Sequence, residues 1–556
     1  MYDIIIVGNG LAGLSAAVTC AEAGGRVLLA SSNQPERSQS VMAEGGINAA
    51  LNYKGEDDSP EQHMADTLRA GCDLADAQAV AGLTTAAPEI IRWADRLGTV
   101  FSRDEEGRVD QRCFGGQKKK RTAYANAGIG RQLMAALSRQ CRKLESEGRI
   151  EVREDLRLVS AALGDRGCCG GVFRRVGGGE PEGIAAEGLI LCCGGPGGLF
   201  GNNTGSLLSD GAAAAALFSQ GAAMADLEMI QYHPTTAAGP GKRLLISEAA
   251  RGEGGRLFTY KEGKPWYFME EWFPEGGNLM PRDVVSRSIY KVVRELGLGV
   301  EGRDEVLLDI SFLPKEVLDT RLAEICRNCR TFLGVDPARE PIPVWPGVHY
   351  FMGGFYVGAD HACSIPRLWA AGECACQYHG ANRLGGNSTL GAIYGGRMAA
   401  ESALGASPLY SAAEKEALLE REARRQSELA VAFSGRLRPP RLRQELQQVM
   451  REGMAIFRSE EQLAAALGRL DSLEEEARGL AGGAEAADSL TLTGQMRLAR
   501  AMLLSALARR ESRGAHQRSD FPERDDAGFR RVTVAQYGAD GNINVGFRPI
   551  GADPCK

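Results

Sequence analysis

The residues best equipped for chemistry are few and keep unusual company. Of six histidines, His233 lies in QYHPT, His349 in VHYFMGG, His379 in HGANR and His516 in SRGAH, stretches rich in turn residues, glycine or arginine; His63 and His361 have plainer neighbours. Beside them stand Arg282 in MPRDVVSR, Arg383 in HGANRLGGNS, and Ser247, Glu248 and Arg251 in ISEAARGEGG. Arginine offers a fork of donors and neutral histidine a single one, so such a set suits a small dicarboxylate gripped at both ends. The plainer alternative stands beside it: a lone histidine is often a satisfied structural residue, and any one of these arginines could close a salt bridge between domains.

Such donors need a scaffold that collects them from distant parts of the chain. The start, MYDIIIVGNGLAG, reads as a short apolar strand over residues 2–8, a glycine turn, an Ala-rich helix from Leu14 to Gly24 and a second strand, RVLLA. Gly8 permits the tight turn, Gly10 lets backbone N–H groups approach a pyrophosphate, and Gly13 lets the helix pack closely with its N-terminus toward the phosphates. The acidic residue that grips a ribose in such units, about 20 residues on, falls at Ala30 or Ser31, so the ribose is expected to be held differently. Two further apolar runs, GLILCCGG at 188–195 and RLWAAGE at 367–373, also end in glycines. One nucleotide domain interrupted by an insertion explains these junctions.

The division that follows is a discontinuous nucleotide domain, 1–235 and 347–405, an inserted domain, 236–346, a helical domain, 406–517, and a tail domain, 518–556. Helical spacing at Leu442, Leu446 and Val449 and at Leu463, Leu467 and Leu470 marks the third, which Pro439-Pro440 break. The fold class is α/β: a Rossmann-like domain with an inserted α+β domain, then a helical domain and a small tail.

At 556 residues the chain has ample area to bury in several cores. A net charge of −6 argues against nucleic acid as a partner, and the basic run Lys118, Lys119, Lys120, Arg121 reads as a solvated face. No uninterrupted apolar window reaches the length of a membrane span, and the N-terminus is a strand rather than a signal peptide, which places the chain in the cytoplasm. Fourteen cysteines without regular spacing suggest reduced thiols. Cys326-x-x-Cys329 and Cys374-x-Cys376 look like metal pairs but fall short of a zinc site's ligand set, so no metal is expected.

In order along the chain, AEGGINAAL, FGGQKKKRT, QYHPT, SEAARGEGG, PRD, HYFMGG, GEC, HGANRLGGNS and ESRGAHQRSDFPERDD resemble the flavoprotein subunit of the fumarate reductase and succinate dehydrogenase family, a relative of L-aspartate oxidase. The resemblance runs from Tyr2 to about Asp526. It implies an FAD domain, a mobile capping domain as the insertion, a helical domain and a small C-terminal domain. It implies FAD contacts from Gly8, Gly10, Leu11, Ala12 and Gly13, from Ser31, from Ser38, Gln39, Ser40, Gly45 and Gly46, from Asp210 and Glu373, and from Asn387, Ser388, Thr389 and Leu390. Covalent members carry a histidine where this chain has Gln39, and an amide cannot form that bond. Noncovalent FAD is therefore expected, with the lower flavin potential that favours fumarate reduction over succinate oxidation.

The resemblance also assigns the substrate residues. Arg383 and His349 would hold one carboxylate and His233 and Ser247 the other, the serine standing where threonine is usual. Hydride passes between flavin N5 and the fumarate/succinate carbon, with Arg282 as proton donor or electrostatic clamp and Glu248 and Arg251 supplying its proton. Phe114, where L-aspartate oxidases carry an acidic residue nearby, suits an unsubstituted dicarboxylate. The alternatives are L-aspartate oxidase, a reductase of another unsaturated carboxylic acid and, outside enzymes, a flavin electron-transfer module. An iron–sulfur subunit is the implied electron partner, often with a membrane anchor subunit that would hold the chain on the cytoplasmic face. Two stretches depart from the family: AAGPGKRLL before Ser247 is longer, and 126–130 replaces A-D-K-T-G with NAGIG.

Overall fold

A computed structural model describes residues 1–125 and 128–555; Asn126 and Ala127, two of the five residues of the departure at 126–130, lie outside them. The strands Ile4–Val7 and Val27–Ala30 flank the glycine turn and pair in parallel, in a five-stranded sheet ordered Leu368–Ala370, Leu189–Leu191, Ile4–Val7, Val27–Ala30, Ile150–Arg153. The three apolar runs that end in glycine are thus hydrogen-bonded neighbours, and their C-terminal ends share one edge of the sheet. All four residues of Ile4–Val7 are buried, as a parallel strand covered on both faces requires.

The Ala-rich helix Leu11–Glu22 buries ten of its residues because it is sandwiched between this sheet and the helix Asn387–Leu404. Small side chains set that distance: a Cβ on Gly396 would come within 2.2 Å of the Ala12 carbonyl oxygen. The insertion enters on the strand Ile230–Ala238 and leaves on Ile342–Phe351, which pair antiparallel as neighbours within a six-stranded sheet. The core of this second unit collects Leu257, Phe268, Ile289, Val306 and Ile342.

Four long helices, Ala412–Val431, Pro439–Gly453, Glu460–Ala477 and Ala486–Ala508, occupy the region read as helical, and Pro439 opens the second of them at a position where its missing N–H costs nothing. The tail shares a sheet with earlier parts of the chain. Its strands Val532–Tyr537 and Ile543–Arg548 extend a sheet begun by Met224–Ala225 and Gly354–Tyr356, because Met224 and Ala225 leave an edge that needs a partner. The ESRGAHQRSD motif and Arg509, two residues before it, lock this junction: Arg509 pairs with Glu228 at 2.6 Å and Glu511 at 2.9 Å, and Arg513 with Glu511 at 2.7 Å, all of these side chains fully buried. His516 belongs to this lock, its Nδ1 lying 2.9 Å from Arg458, and so is structural rather than part of a binding set.

The basic run is also corrected in part. Lys118 and Lys120 are exposed, but Arg121 is fully buried between Asp58 and Asp66 at 2.8 and 2.9 Å. Cys326 and Cys329 face the core of the inserted unit, and among the described residues no three metal-ligating side chains gather. Among those residues no helix is long and apolar enough to cross a membrane.

Burial, first of all, drives every histidine below its ordinary value: His63 and His361 to about 4, His379 to about 3, and His233, His349 and His516 well below it. The unfolded chain takes up protons near pH 6.5 that the native chain refuses, so stability falls as pH drops through that value, by about 1.4 kcal/mol per pH unit for each histidine. Burial lifts Glu44, Asp226 and Glu373 to about 7, and these three act in the opposite sense as the native chain takes up their protons. Six histidines against three carboxyls leave a net loss. The urea midpoint is therefore expected to be lower at pH 5 than at pH 7.5; an unchanged or higher midpoint at pH 5 would contradict it.

Candidate active site

The glycine turn builds the first wall of a cleft. Gly8 takes φ 111°, and a Cβ on Gly13 would sit 1.8 Å from the Gly8 carbonyl oxygen, so the turn and helix close only with glycine at both places. The segment 37–46 folds across the mouth of this turn. Ser40 Oγ accepts the N–H of Leu11 at 3.0 Å, and a Cβ on Gly10 would stand 3.0 Å from that oxygen. Gly130, from the departing stretch, supports the segment from behind: its N–H donates to the Ala43 carbonyl at 2.8 Å, and a Cβ would meet the Ser40 carbonyl at 2.1 Å.

One continuous cleft carries most of the expected cofactor residues. Gly8, Gly10, Leu11 and Ala12, then Ser31, then Ser38, Gln39, Ser40, Gly45 and Gly46, then Asp210, Glu373, Ser388 and Thr389 all line it. Gly13, Asn387 and Leu390 do not. Gly13 is spent on the Gly8 contact, Leu390 packs in the core, and Asn387 turns its amide to Asn48 at 2.7 Å, His63 at 2.9 Å and Thr67 at 3.0 Å. At the expected ribose position Asn9 Nδ2 donates to Ser31 Oγ at 2.8 Å, so hydroxyl and amide groups stand where an acid was looked for. Asn9, Asn33, Arg157 and Ser206 also line the cleft and were not anticipated. Cys192 to Gly194 could have been, from the strand-to-glycine junction that ends there.

At the other end the cleft is lined by Phe114, His233, Ser247, Glu248, Arg282, His349 and Arg383, while Arg251 stands behind Glu248. His379 is not among them; its ring lies against Tyr350. His233 and His349 sit on adjacent strands of the six-stranded sheet, their rings edge to face with centroids 5.0 Å apart. Arg282 is the first residue of the helix Arg282–Tyr290, and its Nη2 and Nε reach Glu248 Oε2 at 2.7 and 2.9 Å. Arg251 Nη2 holds the other oxygen at 3.2 Å. Gln231 Oε1 accepts from Arg282 at 3.1 Å and from Arg383 at 3.0 Å, which holds two like charges side by side. Arg383 stacks 4.2 Å over Tyr350, and its buried Nε has no protein partner.

Electrostatics follow from this crowding. Burial works to raise Glu248, but the guanidinium charges of Arg282 and Arg251 outweigh it and hold the carboxyl below its usual range. Burial and the neighbouring Arg282 charge push Arg383 down to about 9, which leaves it protonated at neutral pH. His233 and His349, lowered by burial and by Arg282, are neutral. Three guanidinium groups thus face one ionised carboxylate, and Glu373, lifted to about 7 by burial, adds only about half a charge. The end of the cleft is built for an anion.

A parallel sheet, a glycine turn and an anion-binding pocket at the far end of the same cleft define a dinucleotide-binding α/β oxidoreductase. Comparison with known proteins narrows the class. Residues 3–389 match the family model of an FAD binding domain, and 443–555 that of the fumarate reductase flavoprotein C-terminal region. The chain is 40% identical to the succinate dehydrogenase flavoprotein subunit of Bacillus subtilis over 96% of this chain and 94% of that one. It is 34% identical to one chain of the fumarate reductase (CoM/CoB) from Methanothermobacter marburgensis, covering 94% of each, and 33% identical to an L-aspartate oxidase of Streptomyces coelicolor, covering 98% and 93%. A solved E. coli quinol fumarate reductase chain superposes with TM-score 0.92 at 31% identity, covering 99% of this chain and 97% of that one. The chain belongs to the succinate dehydrogenase/fumarate reductase flavoprotein family, and its cofactor is FAD.

The residues present fit FAD. Two helix N-termini, at Leu11 and Asn387, meet the cleft, and the Gly8 to Gly13 turn leaves no room for a side chain where a phosphate would approach. Gly13→Ala is expected to purify with much less flavin, read as a fall of at least half in the ratio of 450 to 280 nm absorbance. Full flavin occupancy in that variant would mean that the turn does not form this cradle.

Proposed function

We propose that the chain is the catalytic flavoprotein subunit of a fumarate reductase/succinate dehydrogenase type enzyme, acting on an unsubstituted C4 dicarboxylate, with fumarate reduction favoured. The observation that carries this is the excess positive charge: three guanidinium groups, Glu248 as their one fully ionised partner, and two neutral histidine donors beside them. A dianion of fumarate's size balances that charge. Arg383 and His349 hold one carboxylate, and His233 and Ser247 the other, which orients the substrate and withdraws electron density from its double bond. Bound FAD supplies hydride exchange at its N5.

Arg282 lines the same pocket and holds a proton; ionised Glu248, 2.7 Å away, is placed to pass on a replacement taken from Arg251 on its other side. A guanidinium gives up a proton reluctantly, so the transfer must be matched at once by return from Glu248; otherwise Arg282 serves as a charge clamp. Arg282 and Glu248 both belong to the insertion, so movement of that unit over the pocket completes the site and excludes water.

The Streptomyces coelicolor relative gives L-aspartate oxidase as the second reading. Against it stands Phe114, 2% exposed, where a substrate ammonium would need an anion, and Glu248 is already engaged by two arginines. FAD is held without a covalent bond, since Gln39 offers an amide. Electrons arrive from a docked iron–sulfur subunit, for this chain has no ferredoxin-like cysteine run; through that partner and an anchor subunit the complex sits on the cytoplasmic face of a membrane.

Anaerobic reduction of the purified protein followed by fumarate is expected to restore the oxidised flavin spectrum within seconds, and acid precipitation to release the flavin. Failure with fumarate together with flavin reduction by L-aspartate would overturn the assignment. Arg282→Ala is expected to slow reoxidation by about 10²–10⁴-fold while FAD stays bound; a loss under tenfold would remove Arg282 from the chemistry.

A further inference from the structure

His349 has a partner that none of these roles uses. Thr204 Oγ1 lies 2.8 Å from His349 Nδ1, and Thr204 is 4% exposed. Its loop is clamped to the strand that carries the histidine. The Thr204 N–H donates to the Val348 carbonyl at 3.0 Å; Asn203 Nδ2 donates to the carbonyls of Gly197 at 2.8 Å and Gly201 at 3.2 Å; and Asn203 Oδ1 accepts the Gly205 N–H at 2.6 Å. The Asn203 carbonyl in turn takes the Arg243 N–H at 3.1 Å. This many constraints on three residues leave the Thr204 hydroxyl little freedom.

We propose that Thr204 is a positioning residue that fixes the tautomer and orientation of His349, so that its Nε2–H is presented to the substrate carboxylate. The hydroxyl has one proton to give. Its other acceptor, the Val348 carbonyl, is 3.4 Å away and already receives the Thr204 N–H, so the proton goes to His349 Nδ1. A neutral imidazole that accepts at Nδ1 carries its own hydrogen at Nε2, the tautomer that donates to an anion. The opposite tautomer would turn a lone pair toward a carboxylate and repel it. His233 Nδ1 is not fixed in this way: it lies 3.1 Å from the Thr235 carbonyl oxygen, which can only accept, and 3.3 Å from the Thr235 N–H, which can only donate. The partner that sets His349 is a side chain 145 residues away in sequence.

The inference rests on the dicarboxylate reading only for the substrate, and its test separates the two. With ¹⁵N-labelled histidine, nitrogen shifts report the tautomer of His349, assigned by its loss in His349→Gln, whether or not any acid turns over. The protein is expected to show the Nε2–H form, Thr204→Val to lose that preference, and Thr204→Ser to keep it. In flavin reoxidation Thr204→Val is expected to raise the fumarate KM about tenfold, the worth of one hydrogen bond to a charged group, and Thr204→Ser to return within about twofold of the parent. An Nδ1–H tautomer in the parent protein, or a Thr204→Val protein with parental shifts and KM, overturns the proposal. Should Thr204→Val fail to fold, the parent tautomer and the Thr204→Ser kinetics still decide it: a parental Nδ1–H form, or a tenfold KM rise in Thr204→Ser, is fatal.

Discussion

Everything at the substrate end depends on one buried carboxylate. Glu248 takes both Arg282 and Arg251, and without it the guanidinium groups gathered near Gln231 would repel one another in a medium that screens them poorly. A buried ion pair gains little for stability once desolvation is counted, so the arrangement is better understood as storage of charge for a ligand. The surplus left by one carboxylate against three guanidiniums is compensated only when a dianion enters. Gln231 makes the crowding tolerable without cancelling it, because an amide oxygen accepts from two arginines yet carries no net charge.

The flavin end rests on a different constraint, steric rather than electrostatic. Gly8, Gly13 and Gly396 are places where backbone meets backbone, and Gly130 is where the helix Ile129–Ser146 meets the segment 37–46. That segment has almost no chemistry because its task is to lie flat: Ser40 ties it to Leu11, while Gly45 makes room for the Phe114 ring, 2.8 Å from where a Cβ would be. Phe114 thereby joins the two ends of the cleft, packed beside the flavin segment and facing the pocket of arginines.

Local patterns made the nucleotide unit legible. Strand, glycine turn and helix follow one another without interruption near the N-terminus, and the two later strand-to-glycine junctions joined the same sheet. Arg282, Arg383, His233 and His349 could be singled out because arginine and histidine in glycine-rich turns are chemically expensive there. Backbone geometry far from the motifs hid the rest. Nothing near Thr204 or Arg157 marks them as neighbours of the cleft, and Asn387 stands beside Ser388 in sequence yet turns the other way, since adjacent residues on a helix face different sides. How the tail attaches was not legible, because two strands of ordinary length read alike whether they pair with each other alone or also with an edge such as Met224–Ala225. His379 and His516 misled because arginine-rich surroundings signal charge, and in the ESRGAHQRSD stretch the charge of Arg513 and Arg518 is consumed by Glu511, Asp526 and Asp520.

The neutrality of His233 and His349 completes the logic. A protonated imidazole beside Arg282 and Arg383 would add charge that the site has no carboxylate to balance, and burial penalises it further. Arginine therefore supplies the attraction, which is long-ranged and indifferent to direction, while histidine supplies direction through a single N–H whose position is dictated from behind. Such a division requires the groups behind the histidines to be as rigid as the histidines themselves. For His349 the clamped loop at Asn203 and Thr204 meets that demand across the sheet, whereas His233 Nδ1 faces both the carbonyl and the N–H of Thr235. A pocket that relied on charge alone would bind any small dianion; the fixed N–H groups are what make carboxylate spacing matter.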